Sequence, residues 1–122
     1  MTLYLSSLEL TARAHLGKEV EQWLSYYREA DYTVIRWLVI YKYEGQFTVA
    51  YHESFDEGDE GFHDVYEFYA LNPDNDTTHS FDSVEEAVAF AIENYGAAAD
   101  RFVAGGMIQE EYAKYVRASR QS

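Results

Sequence analysis

The chain has 122 residues, a formal net charge of −13 at pH 7 and no cysteine. This length fits one domain over residues 1–122, and the 48% apolar content is enough to build one core. The lack of cysteine excludes disulfides, thiolate metal sites and cysteine nucleophiles, and it favours the reducing cytoplasm. The N-terminus has no basic leader and the longest apolar run, Trp37 to Tyr41, is short, so we expect no membrane segment.

The negative charge is concentrated in the middle of the chain. Between Lys42 and Arg101 there are fifteen Asp and Glu residues and no Lys or Arg, whereas the flanks hold nine bases and seven acids. Such a field repels nucleic acids and anionic membranes and attracts basic protein surfaces. We therefore expect a basic protein partner and no direct binding to nucleic acid.

The first predicted element is one long amphipathic helix over residues 7–29. Ser6 and Glu9 have the spacing of a capping box, and apolar residues recur every three or four positions after them. Gly17 is the weak point of this helix, because glycine in a helix interior costs about 1 kcal/mol relative to alanine.

Three strands are predicted after this helix. Residues 33–43 are rich in β-branched and aromatic side chains, which is typical of a strand. Glu44, Gly45 and Gln46 then form a short turn, so the alternating residues 47–52 complete a hairpin. A third strand is predicted over residues 62–71, before the turn-forming residues 72–76.

The C-terminal part is predicted to be helical. Ser83 and Glu86 again have capping-box spacing, and Gly96 closes a helix over residues 83–95. A short helix over 97–104 and a last helix over 107–119 follow. The order α-β-β-β-α-α predicts a two-layer α+β fold, in which a three-stranded antiparallel meander packs on the helices with one face.

The loop after the hairpin partly matches a calcium-binding EF-hand loop. Asp56, Glu60, Gly61, Asp64 and Glu67 fall at positions 1, 5, 6, 9 and 12 of that pattern. Position 3 is a glycine, Gly58, and the flanking segments are predicted strands where an EF-hand has helices. We therefore predict a solvated acidic loop, with no metal site and no cofactor.

Catalytic motifs are absent from the sequence. The acidic stretch contains His52, His63 and His79, but none of them has the spacing of a recognised zinc pair. There is no nucleophile elbow, phosphate-binding glycine loop or dinucleotide-binding fingerprint. We assign no catalytic residue.

The leading interpretation is a small, acidic, non-enzymatic binding or inhibitor-type domain that docks on a basic partner. Nuclease-immunity proteins, anti-restriction proteins and nucleic-acid mimics use the same charge logic, and this chain shares only charge and size with them. Tyrosines beside the carboxylates would add contact area. The residues predicted to bind the partner are Asp56, Glu57, Asp59, Glu60, Asp64, Glu67, Tyr51 and Tyr66.

Three alternatives remain open at this stage. The first is a small enzyme or ligand-binding domain with a pocket lined by Tyr and Trp, which requires His52, His63, Glu53 and Glu67 to converge. The second is a homo-oligomer that uses Trp23, Tyr26 and Tyr27. The third is an acidic surface that serves only solubility.

Overall fold

A computed structural model of the protein describes residues 3–59, 61–71 and 77–120. The helices in these ranges are α1 (Ser7–His15), α2 (Val84–Tyr95) and α3 (Ile108–Arg120). The strands are β1 (Val20–Arg28), β2 (Thr33–Tyr43), β3 (Gln46–Phe55), β4 (Thr78–Phe81) and β5 (Val103–Ala104). A short 3₁₀ helix, Val65–Glu67, lies between β3 and β4.

The described strands form one antiparallel sheet in the order β4-β3-β2-β1-β5. The predicted hairpin is confirmed: β2 has the predicted bounds, and the turn to β3 consists of Glu44 and Gly45. Both turn residues have positive φ, 52° and 80°, as a two-residue hairpin turn matched to strand twist requires. The expected α+β class is correct, whereas three strands were too few.

The predicted helix over residues 7–29 is wrong in its second half. Its start is correct, because Ser6 and Glu9 form the capping box. Gly17 ends the helix: its φ is 82°, and the Lys18 N–H donates to the Arg13 carbonyl at 2.9 Å, the pattern of a Schellman cap. The chain then continues as β1.

The apolar spacing that suggested a helix in β1 has another cause. This strand is covered on both faces, and its pairing with β2 shifts register between Trp23 and Ser25. The bulge at Leu24 disturbs the two-residue period of the apolar side chains. As a result, these side chains occur at the spacing of a helix face, at Val20, Trp23, Leu24 and Tyr27.

The predicted third strand over residues 62–71 is also wrong. Asp64 accepts a hydrogen bond from the Tyr66 N–H at 3.1 Å and caps the 3₁₀ helix, so the chain turns where a strand was expected. Within residues 62–71 the pairing is limited to two isolated bridges, Ala70 with Ser54 and Phe62 with Asp59. The fourth strand, β4, lies in a stretch for which no strand was predicted.

The C-terminal predictions are partly correct. The helix over 83–95 is confirmed as α2, with Ser83 as its N-cap and the left-handed Gly96 as its C-cap, and the last helix is confirmed as α3. The short helix over 97–104 is wrong, since that stretch contains β5, which pairs with the start of β1.

Both faces of the sheet carry a hydrophobic core, which corrects the predicted two-layer packing. Alternate residues of β2 belong to different clusters: Leu38 and Ile40 pack with α1 and α2, whereas Ile35 and Trp37 pack with α3 and the 3₁₀ helix. Because successive side chains of a strand point to opposite faces, these clusters lie on opposite sides of the sheet. We call them the first face and the second face.

Candidate protein-docking surface

The candidate site is the chain between β3 and the bridge at Ala70, residues 56–69, which we call the acidic segment. It contains six Asp or Glu residues and no Lys or Arg. Val65 and Phe68 of this segment are buried in the core of the second face, together with Tyr112 of α3. At its end, the Phe55 N–H donates to the Tyr69 carbonyl at 3.0 Å. The middle of the segment is therefore packed in the core of the second face, and its end is hydrogen-bonded to β3.

Asp56 fastens the beginning of the segment to α3. The Tyr112 hydroxyl donates to Asp56 Oδ1, and the Tyr115 hydroxyl donates to Oδ2 at 2.8 Å. Burial, and secondarily the bond to Asp56, raises the pKa of both phenols, so they remain protonated donors. Asp56 was predicted to be a docking carboxylate; in the structure it is partly exposed, and both of its oxygens accept phenol hydroxyls of α3.

Glu21 of β1 fastens the middle of the segment, and sequence reasoning missed it. This carboxylate is only 2% exposed. It accepts the Tyr66 hydroxyl on one oxygen, and on the other it accepts the N–H groups of Gly106 at 2.9 Å and Ile108 at 3.2 Å. Burial raises the pKa of Glu21, and these hydrogen bonds oppose that rise. No local pattern marks Glu21, since its partners lie far away in the chain.

The raised pKa of Glu21 predicts a specific pH dependence of stability. Between the unfolded value, near 4.5, and the higher folded value, the folded state binds more protons than the unfolded state. Glu21 therefore contributes stability below the unfolded pKa that is lost as the pH rises through the folded pKa. We expect Glu21→Gln to remove this slope, which urea denaturation of both proteins between about pH 4 and pH 7 measures. Parallel stability curves for the two proteins would contradict it.

Three aromatic residues of the acidic segment are exposed. Phe62, Tyr66 and Tyr69 are 42%, 49% and 76% exposed. Buried rings hold two of them edge-on, Phe68 against Phe62 and Trp37 against Tyr66, each with a centroid separation of 5.6 Å. The rings of Phe62 and Tyr66 are therefore fixed in orientation while part of each remains open to solvent.

Three acidic residues are joined to these aromatic residues by hydrogen bonds that involve the backbone. Glu57 accepts the N–H of Tyr69, and Asp64 accepts the N–H of Tyr66. Asp59 exchanges two backbone hydrogen bonds with Phe62, of 3.1 and 3.2 Å. Glu57, Asp59 and Glu67 are exposed, and Asp64 is partly buried. The predicted site residue Glu60 lies outside the described residues.

Tyr51, the remaining predicted docking residue, does not join this surface. It lies on the first face, where its ring stacks on Tyr95 with centroids 4.3 Å apart. Its hydroxyl accepts Arg36 Nε at 2.6 Å and donates to Glu53 at 2.8 Å. Burial is the main cause that raises the pKa of Tyr51 to about 12. Successive side chains of β3 point to opposite faces of the sheet. This alternation could have shown that Tyr51 lies on the face opposite to the acidic segment, if the 3₁₀ helix had been recognised in the sequence.

The histidines and carboxylates that an enzyme would need are dispersed. His52 and Glu53 are neighbours in β3 and point to opposite faces: His52 packs on Trp37 with centroids 4.4 Å apart, and burial lowers its pKa. His63 approaches Tyr112, and His79 packs on Phe90. Within residues 3–59, 61–71 and 77–120, no three His, Asp or Glu side chains are grouped to hold a metal ion.

Two of the three aromatics that suggested a homo-oligomer, Trp23 and Tyr26, make ring contacts within the chain. Trp23 packs on Tyr112 and Tyr115, and Tyr26 packs on Tyr115 with a centroid separation of 4.8 Å. Tyr26 is nevertheless 46% exposed, so self-association through this edge stays a prediction.

Comparison with known proteins found no matching family model, no matching curated protein and no matching solved structure. Among the described residues, none of the helices combines the length and the apolar character needed to cross a membrane. Function is therefore inferred from the geometry of the acidic segment.

Proposed function

We propose that the protein is a non-enzymatic binding or inhibitor-type domain that docks through its acidic segment on a basic surface of a protein partner. The observation that carries this proposal is the combination of three exposed aromatic rings with exposed carboxylates in a stretch without Lys or Arg. Aromatic rings supply contact area at the centre of an interface. Carboxylates select a partner of opposite charge and speed its association.

The anchoring of the segment supports a docking role. Val65 and Phe68 of the segment are buried in the core of the second face, and Asp56 is held by two phenols of α3. A surface that is already ordered loses little conformational entropy on binding, which improves affinity for a given contact area. This surface is therefore suited to rigid association with a partner of fixed shape.

The dispersal of polar groups favours a binder over the alternative of a small enzyme. His52 and Glu53 lie on opposite faces of the sheet, and Glu67 is exposed on the acidic segment. General acid–base chemistry requires such groups to converge around one reacting atom.

The proposal predicts that neutralising the exposed carboxylates weakens partner binding. We choose Glu57→Gln, Asp59→Asn and Glu67→Gln together, because an amide oxygen can still accept the backbone hydrogen bonds that Glu57 and Asp59 make. The original protein and this variant are each immobilised and exposed to lysate of the native host at low and moderate salt. The proteins that they retain are quantified by mass spectrometry. We expect the original protein to retain a basic protein in stoichiometric amount, and the variant to retain about tenfold less.

A matched variant controls for net charge. Glu44→Gln, Glu93→Gln and Asp100→Asn change the charge by the same amount at exposed positions outside the acidic segment. This control should keep the partner, and higher salt should weaken its retention. Equal losses in the two variants, or a retained partner that is not basic, would count against the proposal.

A further inference from the structure

The solvent-facing side of α1 carries a row of apolar side chains. Leu8 is 81% exposed and Leu16 is 74% exposed, and the exposed Ala12 lies midway between them. Residues four apart lie on the same face of a helix, and Leu16, the C-cap, still has helical backbone angles. Leu10 and Ala14, on the opposite side of the helix, are buried in the core of the first face. The helix therefore has two apolar faces, and the core covers one of them.

The spacing along α1 is symmetric about Ala12. When two such helices pack antiparallel about a twofold axis at Ala12, Leu8 of one copy faces Leu16 of the other, because each lies four residues from the centre. Glu9 of each copy then lies beside Arg13 of the other. A parallel pair would instead place Glu9 beside Glu9. The small side chain of Ala12 at the centre lets the two helices approach closely.

The charges of α1 fit such a pair. The helix contains one acid, Glu9, and one base, Arg13, beside His15, so two copies repel each other less here than over the rest of a chain with a net charge of −13. Within the described ranges, Arg13 forms no salt bridge, and its buried Nε has no hydrogen-bond partner. The Glu9 carboxylate is held by the Ser6 N–H at 2.9 Å. A carboxylate from a second copy would give Arg13 the charge partner that it lacks in its own copy.

We infer that the protein forms a homodimer through the outer face of α1, with the two helices antiparallel and Ala12 at the twofold axis. A contiguous exposed apolar row marks an interaction site more strongly than scattered apolar residues do. One helix of nine residues buries less than the roughly 800 Å² per partner of a standard interface, so the dimer is weak and reversible. Because α1 covers the first face and the acidic segment packs on the second, the acidic segments of both copies remain open.

Sedimentation velocity of the full chain, from low micromolar to submillimolar concentration at moderate salt, measures the association. We expect a monomer–dimer equilibrium. Leu8→Gln with Leu16→Gln should weaken it by at least about tenfold, because the apolar area buried between the copies is lost. Both residues are exposed in the single copy, so the variant should keep its fold. The control is Tyr69→Gln, at a residue that is 76% exposed on the acidic segment, and it should leave the association unchanged.

Introduced cysteines test the antiparallel geometry, since the chain has no cysteine of its own. A residue forms a disulfide with its own copy only near the twofold axis, because the two Cα atoms must lie within about 7 Å of each other. Under mild oxidation, Ala12→Cys should give a covalent dimer, whereas Ala89→Cys, exposed on α2, should stay monomeric. Leu8→Cys should crosslink with Leu16→Cys in a mixture faster than with itself.

Several results would contradict the dimer. A chain that stays monomeric at the highest concentration would show that a second copy does not cover the outer face of α1, and binding of a different protein there would show the same. Association that survives Leu8→Gln with Leu16→Gln, or that is lost in Tyr69→Gln or Tyr26→Gln, would place self-association elsewhere. Self-crosslinking of Leu8→Cys as fast as that of Ala12→Cys would overturn the antiparallel arrangement.

Discussion

Replacing Asp56 by alanine is expected to reduce the free energy of unfolding by about 2–4 kcal/mol, because each buried hydroxyl left unpaired costs roughly 1–3 kcal/mol. The two hydroxyls belong to Tyr112, which is fully buried, and to Tyr115, which is partly buried. Chemical denaturation of the variant and the original protein measures the loss. Asp56→Asn, which keeps one acceptor oxygen, should lose less.

Asp59→Ala is the matched control for this prediction. Asp59 is exposed in the same segment, and its side chain accepts only the Gly61 N–H, at 2.8 Å, in the described contacts. We expect a change within about 1 kcal/mol, as for an exposed hydrogen bond. In a double-mutant cycle, Tyr115→Phe should lower the free energy of unfolding only slightly further when Asp56 is already replaced by alanine. Equal losses for Asp56→Ala and Asp59→Ala would show that Asp56 does not fasten the segment.

Replacing Gly58 by alanine is the second change with a large expected effect. A Cβ atom at this position would lie 2.4 Å from the Phe62 carbonyl oxygen and 2.5 Å from the Tyr112 hydroxyl. Neither atom belongs to a flexible side-chain end, so the acidic segment must move away from α3. We expect a loss of about 2–3 kcal/mol, within the range for overpacking a well-packed site, measured by chemical denaturation.

Gly61→Ala provides the comparison within the same segment. The nearest atom to a Cβ there is an Asp59 carboxylate oxygen at 3.6 Å, which is an ordinary contact. Neither Gly58 nor Gly61 has a positive φ, so the two substitutions differ in available space and not in backbone strain. We expect Gly61→Ala to be within about 0.5 kcal/mol of the original protein. If Gly58→Ala were equally mild, the close packing of the segment on Tyr112 would be wrong.

The elements that sequence reasoning located correctly are those set by local chemistry. Residues 33–43 alternate and are rich in β-branched and aromatic side chains, and Glu44 with Gly45 makes a tight turn. Ser83 and Gly96 mark the ends of α2 with a cap at each end. These signals depend only on residues close together in the chain, so tertiary packing did not override them.

The elements that were missed depend on distant partners. A strand that is covered on both faces and interrupted by a bulge has no simple two-residue period, so β1 resembled a helix. The acidic segment resembled a free loop because its anchors, Glu21, Tyr112 and Tyr115, are far away in sequence. The acidic and aromatic character of the candidate site could be read from composition, whereas its attachment and the separation of Tyr51 required the fold.

The most direct test of the docking surface is to map where a basic peptide binds, by following backbone amide chemical shifts of the isotope-labelled protein during titration with a synthetic peptide of alternating arginine and glycine. The docking surface predicts that the largest shifts fall on residues 57–69, with smaller effects on the exposed acids of α2, Glu85, Glu86 and Glu93. Higher salt should reduce the shifts. Shifts that concentrate on α2, or that spread evenly over all exposed acids, would contradict a dedicated docking surface on the acidic segment.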